Sequence, residues 1–132
     1  MQTTAGHPVM SQGRKYTCAL GPGAVTTSTV GRIMGTTCEV RVTGSTVSGS
    51  LAAVNTAWES LEDCDRKWSR FKADSELTRI NTTVSDAHQP VTLSDLTSAL
   101  ISAMFWARTY SAGWVDASLL PQVIAAGYDR DF

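Results

Sequence analysis

The sequence predicts an α+β domain, a mixed sheet with helices packed against it. Three observations carry that expectation. Apolar residues alternate with polar ones around position 40, an apolar stripe at spacings of three and four runs from 51 to 68, and two further helical patterns follow, separated by polar turns. A chain of 132 residues can bury a core, and 42% hydrophobic against 17% charged residues is the balance of a folded domain rather than a disordered one.

The strand is expected over residues 32–43, where Cys38, Val40 and Val42 alternate with Glu39, Arg41 and Thr43. Gly35 near its start marks either a bulge or a close approach by another group. Before it, residues 1–31 mix Gly, Thr, Ser and Pro around Arg14 and Lys15, with Gly21-Pro22-Gly23 as the clearest breaker. They lack an apolar stretch of signal-peptide type, and Cys18 does not follow the apolar run of a lipid-anchored cysteine. This segment reads as a flexible leader to a domain over 32–132, and the compartment as cytoplasmic by default.

Gly44-Ser45 ends the strand, and Ser48 or Ser50 is placed to cap a helix of about 48–68. Its stripe is Leu51, Val54, Trp58, Leu61, Cys64 and Trp68, with Trp58 and Trp68 read as core. Glu59, Glu62, Asp63 and Asp65 lie on the other face, a solvated surface rather than a metal site, with Arg66 and Lys67 towards the helix end. A short helix follows, capped by Asp74 or Ser75, carrying Glu76 in its first turn and Leu77 and Ile80 as an apolar edge, and closing at Asn81. Phe71 sits on the connection between these helices, either as a plug over the core or as a pocket wall. After a polar loop over 82–90, Val91-Thr92-Leu93 reads as a short strand. Ser94 caps a helix of about 95–110 with Leu96, Leu100, Ala103, Met104 and Ala107 on its stripe and Trp106 and Tyr110 on its flanks. Gly113 serves the C-cap, and Pro121 opens a last helix over 122–126.

Composition narrows the function. A net charge of −1 makes no broad field for nucleic acid, and no apolar run is long enough to span a membrane. Cys18, Cys38 and Cys64 are odd in number and far apart, so neither a zinc site nor a disulfide framework is encoded. His7 and His88 have no patterned nucleophile beside them, and Asp129 and Asp131 alone make no metal site.

Three segments remain: Met34-Gly35-Thr36-Thr37; Ser69-Arg70-Phe71 with Asp74-Ser75-Glu76-Leu77 and Arg79-Ile80-Asn81; and Gly113-Trp114-Val115-Asp116-Ala117-Ser118 with Pro121 and Ala126-Gly127-Tyr128. In this order and at these separations they resemble the N-terminal half of the ApbE family, the FAD:protein FMN transferases, from about Met34 to Phe132. The pattern looks closer to actinobacterial members, which read Val-Asp-x-Ser/Thr-Leu-Leu and Ala-Gly-Tyr-Asp-Arg-Asp. The resemblance implies the N-terminal portion of an ApbE-like, T-fold-related domain. It also implies an activity: cleavage of FAD at its pyrophosphate, release of AMP, and attachment of FMN to a threonine of an acceptor flavoprotein with magnesium bound.

On that resemblance the Met34 backbone, Phe71 and the Trp114-Val115-Asp116 turn contact FAD. The residue chemistry agrees. Gly35 lets main chain approach a planar ring, Phe71 offers a stacking face, and Asp116 accepts from a ring N–H, although Asp116 also suits an ordinary turn or cap. Residues 75–81 would shape the pocket. Trp114, Val115 and Ala117 depart from the family pattern and alter pocket shape more than chemistry. The family's magnesium ligands and glycine-rich phosphate segment belong to a second half, so no catalytic residue is assigned here and this chain alone is expected to be inactive. The alternatives are a flavin-binding module that does not cleave its ligand, and an interaction domain in which Phe71 and Trp114 fill a core or an interface.

Overall fold

The computed structural model describes residues 7–11, 14–85 and 90–130. Four strands come first: β1 (His7–Ser11), β2 (Arg14–Gly21), β3 (Ala24–Ile33) and β4 (Thr36–Gly44). Four helices follow: α1 (Val47–Trp68), α2 (Glu76–Ser85), α3 (Asp95–Tyr110) and α4 (Leu120–Ala125). The α+β class is as expected. The sheet of the described strands, however, is antiparallel in the order β1-β2-β3-β4, not mixed, because only two residues separate each consecutive pair, too few for a parallel crossover. The chain divides into two compact units, Met1–Asp65 and Arg66–Phe132, with the boundary in the last turn of α1.

The first unit contains the sheet and most of α1. Residues 14–31, expected to be a flexible leader, are instead β2 and most of β3. The inward face of β3 explains the discrepancy. Its alternate positions are Val25, Thr27, Thr29, Gly31 and Ile33, so the buried side carries hydroxyls and a glycine where an apolar pattern would have revealed a strand. Thr27 and Ser50 are both buried and share a hydrogen bond of 2.7 Å, while the Ser50 hydroxyl also donates to the Val47 carbonyl at 3.1 Å. Buried hydroxyls persist because they are paired. The core is Tyr16, Ile33, Val54 and Trp58, with Cys38, Val40, Val42, Leu51 and Leu61 packed against it. The expected β4 alternation is therefore present, as is the α1 stripe from Leu51 to Leu61; Cys64 and Trp68 are half-buried and lie outside this core, Trp68 belonging to the second unit. The Tyr16 hydroxyl donates to Asn55, and Arg14 pairs with Glu62 while its guanidinium lies 5.3 Å from the Trp58 ring centroid.

Two local expectations change. Gly35 is not a bulge within one strand. Ile33 pairs with Thr36, leaving Met34-Gly35 as a two-residue hairpin turn with φ of 50° and 73°. Positive φ at both central residues is the type I′ signature, which matches the twist of the flanking strands. The cap of α1 is Thr46, whose hydroxyl accepts from the Gly49 N–H at 3.1 Å, rather than Ser48 or Ser50.

The second unit is helical. Ser75 caps α2, its hydroxyl accepting from the Thr78 N–H at 3.0 Å. α2 continues through Asn81 to Ser85, because an asparagine can remain inside a helix as well as close one. Residues 90–94 form no strand, and their Ser94 caps α3 over the expected span, accepting from the Thr97 N–H at 3.4 Å. Glu76 takes hydrogen bonds from both the N–H and the hydroxyl of Ser94, and Trp68 Nε1 donates to Thr97 at 3.1 Å. Ser75 and Thr97 are buried, whereas the buried apolar residues described all belong to the first unit. The α3 stripe is only partly enclosed. Leu100, Met104 and Ala107 are half-buried, but Leu96 and Ala103 are exposed, since three short helices offer too little surface to cover every face.

Candidate functional site

The second and third sequence segments meet in the second unit, and helix ends do the positioning. α3 terminates in a Schellman arrangement in which the Gly113 N–H reaches the Arg108 carbonyl at 2.9 Å and the Ala112 N–H reaches Thr109 at 3.2 Å. The left-handed C′ position is Ala112, φ 52°, and not the expected glycine, with Gly113 following at φ 88°. α4 ends the same way: the Tyr128 N–H bonds Val123 at 3.2 Å, the Gly127 N–H bonds Ile124 at 2.9 Å, and here glycine takes the left-handed residue at φ 94°. The exposed Tyr128 carbonyl then accepts from Arg70, whose guanidinium lies 4.2 Å from the Phe71 ring centroid. The Ser69-Arg70-Phe71 segment and the Ala126-Gly127-Tyr128 segment are thus joined directly.

Between these ends the chain turns through Trp114, Val115 and Asp116. The Val115 N–H donates to the Ser111 hydroxyl at 2.9 Å, bracing a turn that leaves Trp114 93% exposed. Asp116 forms an Asx-type turn: its Oδ1 accepts from the Ser118 N–H at 2.8 Å and from the Ser118 hydroxyl at 2.6 Å. Its Oδ2 lies 3.2 Å from Arg108 Nε. The Ser118 hydroxyl, the Ser118 N–H and then Arg108 hold this carboxyl below its ordinary value of 3.8, so it is ionised at neutral pH. A carboxylate has about four acceptor sites. Two on Oδ1 and one on Oδ2 are engaged, which leaves Oδ2 able to accept once more.

Asp116 stands at the rim of a hollow of about 210 Å³. Leu77 and Ile80 of α2 and Ile101, Met104 and Phe105 of α3 make its apolar walls, while Asn81, Arg108, Asp116 and Ser118 supply polar edges. A mostly apolar lining with a few polar groups is the usual make-up of a small-molecule pocket. The volume lies below the roughly 300 Å³ at which pockets for whole drug-sized ligands begin, so the hollow accommodates one ring system rather than a complete dinucleotide. Phe71 lines a second hollow, of about 180 Å³, with Arg70, Thr78, Thr82, Leu120, Ile124 and Asp129, and Asn81 borders both.

Of the residues expected to contact a flavin, Asp116 and Phe71 therefore border adjacent hollows, whereas Trp114 and Val115 project from the turn beside them and line neither. Met34 belongs to the first unit, on the β3–β4 turn, and is 48% exposed. Asn81 closes the segment 75–81 expected to shape the pocket and lines both hollows, whereas sequence reasoning missed Arg108. Arg108 carried one signal, a cation in the last turn of a helix, where it usually serves the helix dipole and here also holds Asp116.

Among the described residues no group of three or more His, Cys, Asp or Glu side chains is gathered that could hold a metal ion. His88 and Asp131 lie outside the described residues, as does the side chain of His7. No described helix is long and apolar enough to cross a membrane. Searches of curated proteins and of solved structures found no match. The model of the ApbE family matches residues 34–131, about three quarters of the chain. That span takes in the hairpin turn at Met34, the Arg70–Tyr128 tie and the Asp116 hollow together, and the chain belongs to the ApbE family.

Proposed function

We propose that residues 34–131 form the flavin-recognising part of an FAD:protein FMN transferase, which transfers FMN from FAD to a threonine of an acceptor flavoprotein with release of AMP. The observation that carries this reading is the family match over a span in which the segment 77–81 and the segment 116–118 border one hollow of the second unit. The apolar walls take the faces of the isoalloxazine, and the remaining acceptor site on Asp116 Oδ2 receives a ring N–H. Arg108 and Ser118 keep the carboxylate ionised and fixed in direction. Phe71, with Arg70 over its ring, offers a stacking face at the adjoining hollow.

Magnesium, when bound, neutralises charge on the phosphates during such a transfer. The described residues do not gather a site for it, and its ligands belong to residues outside them.

Titration of FAD with the 132-residue chain tests the reading. Quenching of flavin fluorescence and a rise in melting temperature are expected, because a ligand specific for the folded state stabilises it. Asp116→Ala should weaken binding several-fold while the fold persists. No quenching and no thermal shift at any soluble concentration would overturn the flavin assignment. Efficient magnesium-dependent transfer of FMN to an acceptor-threonine peptide by this chain alone would overturn the placing of the metal ligands elsewhere.

A further inference from the structure

We infer that the free edge of β4 is a self-association surface, through which two copies of the chain join their sheets by antiparallel β4–β4 pairing. Among the described strands, β4 pairs with β3 on one side and with none on the other. It is nine residues long, spans about 30 Å, and contains neither proline nor lysine, two of the devices that usually blunt an exposed edge. An edge of that kind presents a row of backbone donors and acceptors to an added strand.

Its side chains are complementary to themselves in one register. With the two-fold axis at Val40, Glu39 faces the partner's Arg41 and Arg41 faces the partner's Glu39. On the same face, Thr37 and Thr43 lie opposite the partner's Thr43 and the partner's Thr37. On the other face Cys38, Val40 and Val42, all half-buried, meet the partner's Val42, the partner's Val40 and the partner's Cys38, so each half-buried apolar row continues across the junction. A shift by one residue would set charged positions against apolar ones. Within one chain Arg41 already bonds Glu39 at 2.8 Å, and both are exposed, so the pair is available to exchange across the strands. Their directly opposite neighbours on β3 are Val30 for Glu39 and Ser28 for Arg41, so no β3 charge stands directly across from either. The inference is independent of any flavin chemistry.

Sedimentation of the 132-residue chain over a concentration series tests it. A concentration-dependent dimer is expected. Glu39→Arg sets like charges opposite each other and should weaken the dimer at least tenfold. Arg41→Glu should act equally, and the double exchange Glu39→Arg with Arg41→Glu should restore native association. Circular dichroism confirms that each variant is folded, and the double variant keeps the native charge. A native chain that is monomeric at its highest soluble concentration overturns the inference. So does a dimer indifferent to either single reversal, which would place association on another surface, or a double exchange that fails to restore it.

Discussion

Replacing Gly31 by alanine tests the packing on which the first unit depends. A methyl group at this position would stand 2.9 Å from Cη2 and 3.3 Å from Cζ2 of Trp58, about half an ångström inside ordinary contact. Trp58 is 2% exposed and is held from the other side by the core, so its ring has little room to withdraw. Two effects oppose each other. Alanine in place of glycine inside a strand gains about 0.5–1 kcal/mol from the lower entropy of the unfolded chain. Overpacking a close-packed core costs about 1–3 kcal/mol, so the clash wins and Gly31→Ala destabilises. Urea unfolding followed by far-UV circular dichroism should show a lower midpoint with an unchanged slope. The decisive comparison is the same substitution in a Trp58→Phe background, because phenylalanine does not reach the Cη2 and Cζ2 positions. There Gly31→Ala should be neutral or stabilising. Trp58→Phe should itself cost less than its lost contacts suggest, since Trp58 Nε1 is buried without an acceptor and phenylalanine removes that penalty. Equal destabilisation by Gly31→Ala in both backgrounds would refute the proposed contact.

Thr27→Val and Ser50→Ala should each cost about 0.5–1.5 kcal/mol by removing the bond the two hydroxyls share, Ser50 keeping the Val47 carbonyl, and the double variant should cost clearly less than their sum in a double-mutant cycle. Met34→Asn and Ala112→Gly each relieve a left-handed residue and should each stabilise by about 0.5–1 kcal/mol in thermal unfolding, and Met34→Asn should leave FAD affinity intact if only backbone is used there. Ser94→Ala should lose about 1 kcal/mol with the α3 cap, and Ser94→Gly only a few tenths, measured by the same unfolding curves. For Asp116 the folded value lies below the ordinary 3.8, so its contribution to stability is complete above that pH and is lost as pH falls through the folded value. Carboxyl NMR titration should therefore give a midpoint below 3.8 that climbs towards it in Ser118→Ala, and an unmoved midpoint would show that Ser118 is not the cause.

Much of the helical architecture was readable from residue spacing. The α1 stripe through Val54 and Trp58, the Ser94 cap, the Pro121 start of the last helix and the β4 alternation each follow from a local period or a local capping rule. The candidate site was readable to a lesser degree. Asp116, Phe71 and Asn81 stand in segments whose residue types were informative, but the sequence does not say that Arg108 closes on Asp116. Nor does it say that Arg70 reaches the Tyr128 carbonyl, because those partners are separated by 58 positions and meet only through folded helix ends.

Thus the sequence alone determined the α+β class, the family resemblance, and the helix periods and caps that act within a few residues. The tertiary structure alone decided that residues 14–31 belong to the sheet, that Met34-Gly35 is a turn, and which side chains surround the Asp116 hollow. The physical reason is shared. Threonine and glycine on the inner face of β3 carry no hydrophobic signature, and they become core positions only when α1 brings Ser50 to Thr27 and Trp58 to Gly31.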